Sequence, residues 1–507
     1  MLSLFGAVIG MQLLTTLGVT PNTTLIGVLI TVIVSRIPVS AFLPLRSVHM
    51  QNMAQTAISS ATFGAANGML LPIAIPYLYG SEQLILPLLC GLGAAILLDA
   101  WLLYRLFNSR VFPAAGAWPP GVAAAQAIRA AQGDGHVFLL GLGVAVAAGG
   151  AWLAGIPMAA FGTAFIGNVW ALSLFGCGLL VRNYGAPFSG IDINAMYLPH
   201  GVMIGAGLVA LVQVFNQVRR PSAAASVDPG RETVTTTQVR FVLGSAGLAY
   251  LAIAVFLAVG CGLYVQMGLA QLIGFVLYSA AAAYAHCVIV GVAAMHSGWF
   301  PAFAVALITL IVGLVLGFPP VALVVLCAYS VATGPAAADM GFDLKAGYIL
   351  RGNGSDPRLE EAGRRQQYMA SSLGLCVAIL VVALVHKVYF SHGLVPPVAK
   401  VYLATITAGV ADGVATKLVA WAVVGATVQW IGGPKRQMGV MLATGLLIAN
   451  GLAGVAVGLG ILVRLLAQRL PGNEVRGKLE VFAAGAIAGD AIYGFLASAV
   501  QSLRFWR

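Results

Sequence analysis

Six aspartates, Asp99, Asp192, Asp339, Asp343, Asp412 and Asp490, stand within or beside long apolar runs. An ionisable side chain in such surroundings is costly and is a functional candidate by default. Asp490 lies in AGAIAGDAIYGF (484–495), among small residues and far from any loop, so it is the first candidate for binding and releasing a proton. Its alternative is a structural pairing with a buried cation. Asp412 and Asp192 are the other two candidates for that chemistry, with an ion pair to Lys417 as the competing reading for Asp412. Asp343 and Lys345 in DLKAGYIL read as a structural pair at a membrane boundary, and Asp99 as reaching Arg105 or a neighbouring helix.

Uncharged polar groups form a second set. Asn52, Gln55 and Thr56 fall within one helical turn and would share a face. Gln366 and Gln367 open a later apolar span, and Gln126 sits in the small-residue run WPPGVAAAQAI. Asn194 and His200 belong to the dense polar patch NYGAPFSGIDINAMYLPHG (183–201), which reads as an unwound or re-entrant entry into a span. Amides match the donors and acceptors of a peptide backbone in kind, so Asn52, Gln55, Thr56, Gln126, Asn194, His200 and Gln367 are the substrate-binding candidates. The competing reading is interhelical glue, worth roughly 0.6 kcal/mol per contact. His286 and His296, with Cys287 between, show no metal-ligand spacing, and the six cysteines are scattered singly. No metal or cofactor is expected.

The medium that surrounds these residues follows from composition. The 507 residues are 60% hydrophobic and only 8% charged, with a mean hydropathy of +0.95. An ordinary globular domain carries about 25% charged residues, so lipid is the solvent. Apolar runs of span length recur along the chain and predict an all-α polytopic membrane protein of roughly 14–16 transmembrane or re-entrant helices, some of them broken. Residues 2–18 read as the first span and not as a removable signal peptide. The net charge of +11 does not point to nucleic acid, because Arg219, Arg220, Arg231 and Arg240, and Arg464, Arg469, Arg476 and Lys478, cluster in short connections. That is the positive-inside pattern, and it puts both connections in the cytoplasm.

The polar stretch 219–240 has no apolar face and divides the chain into a half of residues 1–218 and a half of residues 241–507. The halves echo one another. GLGAAILLDAWLLYRLF (91–107) leads to Pro119, Pro120 and Gly121; GLCVAILVVALVHKVYF (374–390) leads to Pro396 and Pro397. A proline pair stops the preceding helix, and freed backbone is tolerated in a membrane only against protein or a water-lined cavity. Those five residues are therefore structural candidates for short helices tucked against other helices.

Several stretches together resemble the oligopeptide transporter family, which includes the yellow stripe-like metal–chelate transporters. QNMAQTAISSATFGAANGMLLPIAIPYLYG (51–80) is similar to the family's ENN-x-VQT-x-x-SA segment and the helix after it. WPPGVAAAQAI resembles its P-x-G-T-A-x-A-E-x-L, and DLKAGYIL followed by RRQQ (364–367) resembles its DLKTGYL…RRQQ. PPVAKVYLATITAGVADG (396–413) resembles PAPQA-x-x-M-x-T-x-x-x-G, and AAGAIAGDAIYG (483–494) resembles the closing GLIAGEGL. Gln51 and Gln126 stand where the family has Glu; an amide keeps its hydrogen bonds but can neither carry a proton nor neutralise a metal.

The resemblance implies a divergent prokaryotic member: a proton-coupled symporter in the inner membrane that imports small peptides or peptide-like metal chelates. Its partners would be that substrate, protons and lipids, with no nucleic acid and with a homodimer left open. The alternatives are a membrane-embedded lipid-modifying enzyme such as a prenyltransferase, for which DMGFD (339–343) supplies one acidic motif but not the second, and a channel, for which no selectivity loop is present. No phosphate-binding GxxxxGK[ST] motif occurs, so ATP drives nothing from within this chain.

Overall fold

The computed structural model describes residues 1–18, 20, 23–36, 38–130, 135–166, 168–190, 192–193, 195–219, 233–297, 302–408, 414–448 and 450–469. Toward the C-terminus it also describes 478–479, 482–483, 485–487, 489–490 and 493. Among the described residues there are helices and no strands, which is how a chain satisfies its backbone in lipid without closing a barrel. Among the described residues six helices are long and apolar enough to cross a membrane, and shorter apolar helices accompany them. The protein is an all-α, multi-pass integral membrane protein.

Two spans form the interior. Val48–Leu78 and Pro320–Leu350 each have a most apolar window that is 94% buried, against 33% for Thr236–Gly260 and Pro357–Ser391, which face outward. Both interior spans are broken. The first widens into a π-helical turn at Gly64–Leu70, a distortion that often accompanies function. The second breaks at Thr333 and Gly334 before Pro335 restarts the helix. Gly334 has φ 98°, which only glycine adopts without strain.

The order of elements repeats. After Val48–Leu78 come the long helix Glu82–Leu106, the 12-residue helix Pro119–Ala130, and the helices Gly135–Ala154, Met158–Ile166 and Val169–Ser189. After Pro320–Leu350 come Pro357–Ser391, the 12-residue helix Pro397–Ala408, and Val414–Arg436, Met438–Leu447 and Gly451–Ala467. Equivalent helices run in opposite directions where they touch. Gly93 packs on Ile379 while Tyr104 stacks on Tyr368 at 4.5 Å, and Gly176 meets Val457 while Gly454 meets Leu180. Antiparallel contact between equivalent helices is what an inverted repeat requires, the arrangement that in carriers places a site at the repeat interface. Thr236–Gly260 stands between the halves, opened by a capping box of Thr235 and Gln238. It begins inside the stretch read from sequence as a linker, of which 220–232 lie outside the described residues.

The proline pairs start the two short helices, as their spacing predicts. Gly121 is needed for contact: a Cβ there would sit 2.4 Å from the carbonyl oxygen of Phe342. That brings Pro119–Ala130 against the helix that carries Asp343. Its counterpart Pro397–Ala408 packs on Leu71–Leu78 and Pro320–Ala332.

Candidate functional site

The two interior spans meet at their most polar segments. Asp339 and Asp343 are four residues apart on Pro335–Leu350 and so share a face. Opposite them, Val48–Phe63 runs antiparallel: Gln55 meets Asp343, and Ser59 and Ser60 meet Asp339. Asp339 accepts from three hydroxyls, Ser59 (2.7 Å) and Thr23 (3.1 Å) at Oδ1 and Ser60 (3.3 Å) at Oδ2. Three such donors are what a buried carboxylate needs to remain charged away from water. Asp343 is served differently. Its Oδ1 accepts from Gln55 Nε2 at 2.5 Å, while its Oδ2 is buried with no partner, as are Gln55 Oε1 and Asn52 Oδ1.

A third helix closes the cluster. Gln367 on Pro357–Ser391 donates to the Asp343 carbonyl (2.7 Å) and to Thr56 Oγ1 (3.3 Å), and Ser371 pairs with Ser60 at 2.8 Å. Gln367 is itself held by Arg351, whose Nη1 donates to its Oε1 at 2.7 Å. Arg351 is clamped in turn by a bidentate pair to Glu360, at 2.8 and 3.1 Å.

Of the sequence candidates, Gln55, Thr56 and Gln367 thus gather around Asp343, and Asn52 is buried on the same helix as Gln55 and Thr56. Asp343 does not pair with Lys345: two residues apart on a helix point to different faces, and the lysine ammonium donates to the Ala114 carbonyl at 2.7 Å. Asp343 is fully buried within the protein. Asp99 reaches a neighbouring helix and not Arg105. It accepts from the Tyr250 hydroxyl and from the Gly334 N–H, and so satisfies the backbone at the break.

The other candidates stand apart. Gln126 is exposed on its short helix. Asp192 is exposed and accepts from the Ala195 N–H at 3.4 Å, a local turn contact. His200 is half-buried with its ring 5.7 Å from that of Tyr197. Asp490 accepts from the Met158 N–H at 3.2 Å and so caps the start of Met158–Ile166. Asn194 and Asp412 lie outside the described residues. Sequence reasoning passed over Thr23, Ser59, Ser60 and Ser371, because hydroxyls are common in membrane helices and become legible only against the carboxylate they serve. Among the described residues no three His, Cys, Asp or Glu side chains gather as metal ligands.

A buried polar cluster is thus enclosed between the two broken interior spans. No curated protein and no solved structure matches the chain. The family described as OPT oligopeptide transporter protein matches residues 194–501, more than half of the chain. That family consists of transporters and not enzymes, which removes the prenyltransferase reading. The protein belongs to the oligopeptide transporter family, whose members carry oligopeptides across membranes.

Proposed function

We propose that the protein is a secondary active, proton-coupled symporter that imports small peptides or peptide-like compounds, metal chelates included, across a prokaryotic inner membrane. The observation that supports this reading is the buried network of Asp339, Asp343, Gln55, Thr56 and Gln367, contributed by both halves of an inverted repeat. Amides and hydroxyls beside carboxylates suit a ligand rich in backbone N–H and C=O groups. Asn52, Gln55, Thr56 and Gln367 form the inner set of substrate candidates. Gln126, Asn194 and His200 would act elsewhere along the path, and a homodimer is compatible with the outward-facing apolar helices.

Uptake into liposomes reconstituted with the purified protein tests the reading. A labelled tripeptide, free metal and chelated metal are compared under an imposed gradient, acid outside. Accumulation of the peptide or the chelate that collapses with a protonophore is expected; accumulation that follows a sodium gradient instead overturns proton coupling.

Asp490, Asp412 and Asp192 are proposed carriers of the proton. Asp490→Asn keeps an acceptor for the Met158 N–H, so the protein is expected to fold and to lose accumulation driven by pH. Unchanged uptake would remove Asp490 from the path of the proton.

A further inference from the structure

We propose that Asp343 and Gln55 form a proton-binding acid–amide pair that joins the two halves of the repeat. The inference rests on the proton-coupled reading above and names a group for that role beyond its three aspartates. Gln55 Nε2 already donates to Asp343 Oδ1. The remaining oxygens of the same two groups, Asp343 Oδ2 and Gln55 Oε1, are both buried and unpartnered. Both are acceptors while the carboxyl is ionised, so neither can serve the other. One proton on Oδ2 makes it a donor and satisfies both at once. The result is the cyclic acid–amide arrangement, N–H to one oxygen and O–H back to the amide carbonyl.

Asp339 explains why the proton belongs on Asp343. The two carboxylates are one turn apart, and two charges that close do not both persist in a buried site. Asp339 holds three hydroxyl donors and Asp343 holds one amide donor. The charge therefore rests on Asp339.

Other charged groups near the site are committed elsewhere. On the same helix Lys345 is bound to the Ala114 carbonyl. From the helices packed against it, Asp99 is bound to Tyr250 and Gly334, with Cys287 beside it, and His286 to Ser330. Arg129 donates to the Ile349 carbonyl, Arg364 to the Phe107 carbonyl, and Arg351 to Glu360. His49 and Arg36 are exposed. Asp339 is the charge that bears on Asp343.

The bookkeeping is one proton: the Asp343 carboxylate takes it from water as a site opens and returns it when the pair parts. Because Gln55 lies in the first interior span and Asp343 in the second, gaining or losing that proton makes or breaks a contact between the halves. A proton can thus bias an equilibrium between two arrangements of the repeat.

Infrared spectroscopy of the purified protein in detergent tests this without any substrate, so its failure is distinguishable from a failure of uptake. At neutral pH the wild-type protein is expected to show a protonated-carboxyl C=O band that Asp343→Asn loses and that Asp356→Asn, at an exposed helix cap outside the site, retains. The same band in wild type and Asp343→Asn overturns the proposal. Asn preserves an amide partner for Gln55; should that variant nevertheless fail to fold, Gln55→Leu supplies the second reading. Removing the amide is expected to shift the band to higher frequency, and an unshifted band overturns the pair.

Discussion

Replacing Glu360 by alanine is expected to lower the stability of the protein by about 3–5 kcal/mol, the usual cost of removing one partner from a buried ion pair. Arg351 and Glu360 are each only 5% exposed, and the guanidinium spends two donors on the carboxylate and one on Gln367. Without Glu360 a charge remains buried with a single amide to serve it. The surroundings leave no slack: a Cβ at Gly363 would lie 2.5 Å from Arg351 Cδ, and one at Gly347 would lie 2.0 Å from Gln367 Oε1. Thermal unfolding in detergent measures the loss. The double variant Arg351→Met, Glu360→Met removes both charges and is expected to recover most of it. Equal destabilisation of single and double variants would show that packing, and not the stranded charge, sets the cost. The transport consequence is separate. Gln367 loses its Arg351 anchor only in the double variant, so uptake is expected to stay impaired there although stability returns.

The second large effect is expected at Gly205. A Cβ there would sit 1.7 Å from the Ala422 carbonyl oxygen, and one at Gly425 would sit 2.0 Å from the Val202 carbonyl oxygen. Leu198–Arg219 and Val414–Arg436, one before and one after the second interior span, therefore touch backbone to backbone. Membrane helices without a hydrophobic drive between them gain cohesion from such close approach. Gly205→Leu is expected to cost at least the ~1–3 kcal/mol of an overpacked core, and more because the obstacle is main chain that cannot rotate aside. Size-exclusion chromatography should show loss of the monodisperse peak. Gly247→Leu is the control: nothing lies within 4 Å of a Cβ there, and its melting temperature is expected to stay near that of the parent protein. A normal Gly205→Leu protein would mean that these helices do not cross as described.

How far the sequence carries can be judged from three places. The apolar runs were legible because the cost of water against hydrocarbon is paid residue by residue, so the membrane class and most spans follow from composition. The proline pairs predicted two short helices, and both appear, because proline's missing N–H and fixed φ act locally. Hydropathy failed at VHMQNMAQTAISS. It reads as polar, yet Gln51, Asn52, Gln55, Thr56, Ser59 and Ser60 are all buried. A one-dimensional scale assumes that a polar residue prefers water, whereas here the polar residues of one half solvate those of the other.

What the sequence by itself determined is the solvent, the helices, their breaks and the family's order of motifs, all set by local chemistry and by the length needed to cross lipid. Which donors each acid meets was decided only by the tertiary structure. In sequence Asp490 and Asp343 are both carboxyls within apolar helix-forming stretches. Yet one caps a helix start at Met158 and the other faces Gln55 across the repeat. The physical reason is that a buried carboxylate is defined by its donors, and those of Asp339 and Asp343 lie some 280 to 316 residues away along the chain.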